Sequence, residues 1–130
     1  MDTSRLKYSD ITEKVIGCAM KVHSHFGSGF PETVYKKSLM IELERSGLQF
    51  QSEVEKDIYY QGAFIGKRRL DLMIEGIVLI ELKATKEVDK SCYNQIINYL
   101  KVFDLEVGLL LNFGGESLHF KRFMKSKGNP

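Results

Sequence analysis

The sequence predicts an α/β (α+β) fold in which a mixed central sheet is flanked by helices. Three observations carry that prediction. Apolar residues recur at helical spacing near the N-terminus and again over residues 91–103. Between those stretches, residues 48–84 are extended in character and broken by two turn pairs, Gln61-Gly62 and Glu75-Gly76. Glu106–Asn112 is short and almost wholly apolar, as suits a strand covered on both faces. A helix placed before that strand suits a crossover to a parallel partner, which makes the sheet mixed.

Taken in order, Asp10-Ile11-Thr12-Glu13 reads as a capping box with Asp10 as the N-cap. Ile11, Val15, Ile16, Ala19, Met20, Val22 and Phe26 then keep helical spacing, giving a first helix over about 11–25 that Gly27-Ser28-Gly29 ends. His23 and His25 fall in its last turn, where the helix dipole favours a partly positive imidazole. Pro31 suits the first position of a second helix, with Val34, Leu39, Ile41 and Leu43 as apolar surface and Ser46-Gly47 as its close. Three antiparallel strands follow as a meander, the first carrying Phe50, Val54, Ile58 and Tyr60 on one parity. The third helix presents Ile96, Ile97, Leu100 and Phe103 to the core. After Gly114-Gly115, Leu118–Met124 alternates as a last strand, on which His119 shares the parity of Lys121 and Phe123 and reads as structural. Tyr35, Tyr59, Tyr60 and Tyr93 are expected in the core. Residues 1–9 are expected to form a loose arm and 125–130 to fray, leaving one domain with its core at about 10–124.

A chain of 130 residues with 43% hydrophobic and 28% charged residues is long enough for one buried core. No apolar run approaches the ~20 residues of a membrane-spanning helix, and the start lacks the apolar centre of a secretory signal, so a cytoplasmic location is expected. Cys18 and Cys92 are too few for a disulfide scaffold or a zinc site. The formal charge of +2 excludes a strong non-specific polyanion binder on charge alone. Basic residues are nonetheless clustered. Lys67-Arg68-Arg69 precedes the central hairpin, and Lys83, Lys86 and Lys90 follow it, which suggests phosphate contacts.

That hairpin, residues 69–84, holds three charges in apolar strands: Asp71 in the first, Glu81 and Lys83 in the second. Glu81 and Lys83 share a face, because residues two apart on a strand point the same way. A plain two-residue loop at Glu75-Gly76 pairs Asp71 with Ile80 and opposes its face to that of Glu81. A three-residue loop or a bulge at Gly76 pairs Asp71 with Glu81, and glycine favours this second register. Two carboxylates at ~5 Å cross-strand spacing repel unless a cation lies between them. Mg²⁺ or Mn²⁺ suits such an oxygen pair, and Lys83 beside it is placed to orient water or neutralise charge on a phosphate.

Asp71 followed by Glu81-Leu82-Lys83, on the second and third strands of an αβββαβ unit, resembles the PD-(D/E)xK nuclease superfamily, whose fold is restriction-endonuclease-like. Gln95…Tyr99 on the next helix is similar to the extra motif of the RecB-like branch. Gly29-Phe30-Pro31-Glu32-Thr33-Val34-Tyr35 matches the pattern that names the GxxExxY family of small bacterial and archaeal proteins. Tyr59-Tyr60…Gly62 and Leu111-Asn112-Phe113-Gly114 also resemble that family. Leu70 departs from the superfamily's proline before the first acid, at a position that varies widely. The resemblance implies one site formed by Glu32, Asp71, Glu81, Lys83 and Gln95. By position alone Glu32 reads as a surface acid offsetting the helix dipole; the resemblance moves it into the site. It implies one or two divalent ions, Mg or Mn, on Asp71, Glu81 and the Leu82 backbone carbonyl, with Glu32 bound directly or through water. Nucleic acid is the implied partner, held by Lys67, Arg68, Arg69, Lys86, Lys90 and Tyr99, and a homodimer is compatible. The expected function is metal-dependent hydrolysis of DNA or RNA. The alternative is a non-catalytic binder of nucleic acid or of a partner that retains the nuclease fold.

Overall fold

The computed structural model describes residues 8–125. Helix α1 is Ser9–Phe26 and α2 is Glu32–Arg45, followed by β1 (Phe50–Tyr60), β2 (Ala63–Ile74) and β3 (Val78–Lys83). Helix α3 (Ser91–Phe103) leads to β4 (Val107–Asn112) and β5 (His119–Met124). The five strands form one mixed sheet in the order β1-β2-β3-β4-β5. Every neighbouring pair is antiparallel except β3 and β4, which run parallel, as the intervening helix requires. The fold class read from the sequence is the one observed.

The helices cover opposite faces. Val15, Ala19, Val22, Tyr35, Leu39 and Leu43 of α1 and α2 pack on Leu72, Ile80, Leu82, Leu109 and Leu111. Ile96, Tyr99 and Leu100 of α3 pack on Leu70, Leu79, Leu110 and Phe123. Strand β4 is buried along its whole length because it lies between both layers.

Several local expectations change. The N-cap of α1 is Tyr8 in a left-handed conformation, without a side-chain cap, and Asp10 sits inside the first turn. Thr12 turns its hydroxyl back to the Ser9 carbonyl, 3.2 Å away. Ile41 lies on the outer face of α2 and is exposed. His23 is buried, its Nε2 2.9 Å from the Gly115 carbonyl, so it ties α1 to the turn before β5. Tyr59 and Tyr60 are more than 60% exposed, because the β1–β2 hairpin runs past the body of the sheet. Tyr35 alone of the four tyrosines is fully buried. The predicted N-terminal arm lies mostly outside the described residues, as does most of the predicted C-terminal fray.

Two turns fix the ends of β3. Glu75 and Gly76 both have positive φ (54° and 70°), the Ile77 amide donates to the Ile74 carbonyl, and Ile74 pairs with Val78. Three residues therefore lie in the loop, and the odd register is set. At the other end of the strand, the Asn112 side chain accepts from the Thr85 and Gly114 amides and donates to the Thr85 carbonyl. Gly114 is required there: a Cβ would lie 2.2 Å from the Thr85 carbonyl oxygen. Asn112 and Gly114 thus clamp the segment leaving Lys83 against the end of β4.

Candidate active site

Strands β2 and β3 are paired only at Leu72–Ile80, Met73–Leu79 and Ile74–Val78, although both continue further. One step beyond the last pair, the same register sets Asp71 opposite Glu81. Here the neighbouring strand β1 is irregular, although its register with β2 is the same on either side. Its pairing with β2 skips Glu53, which has a positive φ of 56°, between Ser52–Leu72 and Val54–Leu70. Leu70 packs with the α3 layer and Leu72 with the opposite one, so β2 turns at Asp71. The strands part at that point and the Asp71 carboxylate fills the opening. Its Oδ2 accepts the Leu82 amide at 2.8 Å, a bond that a continued ladder would give to the backbone. N–H and C=O of one strand residue point the same way, so the Leu82 carbonyl faces the same opening.

Glu81 and Lys83 share the parity of Leu79 and face the α3 side. Lys83 Nζ is 3.7 Å from Glu81 Oε1, and the Glu81 and Asp71 carboxyls are within hydrogen-bonding reach. Glu81 is 93% buried by its 7% exposure. That burial first, and the Asp71 charge second, push its carboxyl up to about 8. Glu32 stands at the start of α2. Partial burial and Asp71 raise its pKa, against the opposing pull of Lys83 and Lys36. Burial works against the Lys83 ammonium, but Glu81, Cys92, Glu32 and Asp71 together outweigh it and its pKa is raised. The structure therefore brings Glu32, Asp71, Glu81 and Lys83 into one electrostatic group. Among the described residues, no three Asp, Glu, His or Cys side chains are gathered tightly enough to hold a metal by themselves. Glu32 is close enough to influence the Asp71–Glu81 pair without completing a three-carboxylate cluster.

Glu32 reaches this place because of the residues around it. The fully buried Tyr35 stacks on Phe113 with ring centroids 4.7 Å apart. Its hydroxyl donates to the Gly27 carbonyl at 2.6 Å and accepts the Phe30 amide at 3.2 Å. The loop between α1 and α2 is thereby fastened, and the first turn of α2 is fixed with it.

Gln95 is carried by α3. Its amide donates to the Tyr99 hydroxyl at 2.8 Å, and both line a cleft of about 650 Å³ with Lys67, Arg68, Arg69, Ser91, Asn94 and Asn98. Tyr99 is only 8% exposed, so its ring belongs to the core and its hydroxyl serves Gln95. Lys86 and Lys90 are exposed on the segment between β3 and α3. Cys92, Asn94 and Asn98 were not read from the sequence as site residues. The four-residue spacing of the two asparagines, which puts them on one exposed face of the helix, was the available signal.

The sequence model described as the PD-(D/E)XK nuclease superfamily matches residues 9–123. No curated protein matches the chain. Among solved structures, the crystal structure of SSO0001 matches at 21% identity and a TM-score of 0.50, over 95% of this chain. This chain spans 63% of that one's length. The likeness concerns the fold.

Proposed function

Since the chain belongs to the PD-(D/E)XK nuclease superfamily, we propose that it hydrolyses phosphodiester bonds of DNA or RNA where β2 and β3 part. The carrying observation is the Asp71–Glu81 carboxyl pair with Lys83 at 3.7 Å. Members of the superfamily generally use divalent metals. The donor set fits such an ion: two hard oxygen ligands meet in a place so dry that one keeps its proton without a cation. Asp71, Glu81 and the Leu82 carbonyl would hold one or two Mg or Mn ions, with Glu32 joining through water. When bound, a divalent ion polarises a phosphoryl oxygen and makes a water more acidic.

The chain's own residues do the remainder. Lys83 stays an ammonium, since its pKa is raised, and so donates to a water or phosphoryl oxygen rather than taking a proton. Tyr99 holds the Gln95 amide towards the basic cleft, where Lys67, Arg68 and Arg69 receive phosphates and Lys86 and Lys90 extend the positive rim. The seating of Glu32 by Tyr35 supports placing the chain in the GxxExxY group, and the Gln95–Tyr99 pair supports the RecB-like branch.

Purified protein with Mg²⁺ or Mn²⁺ is expected to nick or degrade single- or double-stranded DNA or RNA. Lys83→Ala and Asp71→Asn should each slow cleavage by ~10²-fold or more, with nucleic-acid binding by Lys83→Ala near that of the wild type. Binding without cleavage of any substrate would overturn the enzyme reading in favour of a binding protein with a nuclease fold.

A further inference from the structure

The β1–β2 hairpin carries a surface that the cleavage chemistry does not use. Its pairing runs from Phe50–Ile74 to Tyr60–Ala63, whereas β2 meets β3 only from Leu72 to Ile74. Most of the hairpin is therefore an arm leaving the sheet at Asp71. Phe64 lies seven residues from Asp71 along β2, roughly 23 Å at strand spacing. At the tip, Tyr59, Tyr60, Phe64 and Ile65 are 61%, 64%, 55% and 62% exposed. Tyr59 and Phe64 pair across the hairpin with their rings edge-on, 6.0 Å apart.

Charge is uneven along the arm. Glu53, Glu55 and Asp57 lie on β1 with one cation, Lys56, and Lys67, Arg68 and Arg69 lie on β2. Lys67 is within 4.0 Å of Glu55 and Asp57 and so shares its charge with two carboxylates. Arg68 and Arg69 form no ion pair among the described residues, and both line the cleft against Asn94, Gln95 and Asn98 of α3. A polyanion is drawn to Arg68 and Arg69 at the cleft rather than to Lys67 beside its two acids.

We infer that this arm holds a single-stranded stretch of nucleic acid leading away from the active site. Its phosphates lie along Arg68 and Arg69, and its bases stack on Tyr59, Tyr60 and Phe64. The direction of the strand rests on the proposed nuclease site; the binding does not. Aromatic tips joined to a basic track suit single strands, whose unpaired bases offer faces to stack on. A second copy of the chain would find the apolar tip attractive but has no use for the arginine track, which is continuous with the cleft.

The test is fluorescence anisotropy in EDTA, where no cleavage occurs, with labelled single strands of about 4 and about 12 nucleotides. Tyr59→Ser/Tyr60→Ser/Phe64→Ser should lose about 5- to 100-fold in affinity for the longer strand and little for the shorter one. The chain has no tryptophan, so Tyr60→Trp supplies an independent reporter whose fluorescence only the longer strand should quench. Equal binding of both lengths by wild type and triple variant, with no quenching, overturns the proposal. So does a shift from dimer to monomer in the triple variant with oligonucleotide binding unchanged. Length-dependent binding and quenching without any cleavage by the wild type in Mg²⁺ or Mn²⁺ uphold the arm and end the nuclease reading. Cleavage with neither quenching nor length dependence does the reverse.

Discussion

Burial and the neighbouring Asp71 carboxylate raise the Glu81 carboxyl to about 8, from an ordinary value of 4.5. Between those values the folded chain keeps a proton that the unfolded chain has released. The stability from this group is therefore complete below pH 4.5 and is lost as pH rises through about 8. Glu81→Gln, measured without metal, should flatten that slope. At a pH of about 9 the variant should be the more stable by on the order of a few kcal/mol, read from thermal melts across the range. Added Mn²⁺ should stabilise wild type and not the variant, with the gain growing as pH rises because the ligand must lose its proton. A variant whose melts follow the wild-type pH dependence would show that Glu81 does not titrate in this way.

At the scale of elements, the site depends on how two strand ends are held. The β2–β3 ladder stops one residue short of the acids, and the side chain of Asp71 takes the amide that the next backbone bond would use. The Asn112–Gly114 clamp then fixes the chain just after Lys83, whose carbonyl accepts the Phe113 amide at 2.8 Å. A methyl at Gly114 would strike main chain, which has no flexible end to move aside. Gly114→Ala should therefore cost more than ~2 kcal/mol in urea unfolding and weaken whatever Lys83 does. Ile41→Ala, on the exposed face of α2, should stay within ~0.5 kcal/mol and serves as the control. If Gly114→Ala is as harmless as Ile41→Ala, the clamp is not rigid.

At the scale of the whole molecule, a charge of +2 is small for a protein that holds nucleic acid, so attraction must come from placement. Among the described residues, the exposed cations without carboxylate partners around the cleft and its rim are few: Arg68, Arg69, Lys86 and Lys90. Binding should then fall with salt at a log–log slope of roughly −2 to −4, measured by anisotropy across NaCl concentrations. A slope near −8 would mean a far larger phosphate footprint than this surface offers. Among the described residues no helix is long and apolar enough to cross a membrane.

Periodicity and turn chemistry are local properties, and they determined most of the architecture in advance. The helix of residues 91–103 and the all-apolar β4 implied the parallel β3–β4 pair. Glu75-Gly76 pointed to the odd register that puts Asp71 opposite Glu81. The sequence could also mark Glu32, Lys83 and Gln95 as candidates by spacing and resemblance. Only the tertiary structure decided how each of them is held. Glu32 joins the carboxyl pair because Tyr35 and Phe113, far apart in the chain, stack and seat the start of α2. Gln95 bonds Tyr99 and lines the cleft with the arginines. Tyr60 continues the apolar parity of Phe50, Val54 and Ile58, yet it and Tyr59 stand in solvent. Strand pattern records which residues share a face, but it carries no information on whether the sheet extends far enough to cover that face.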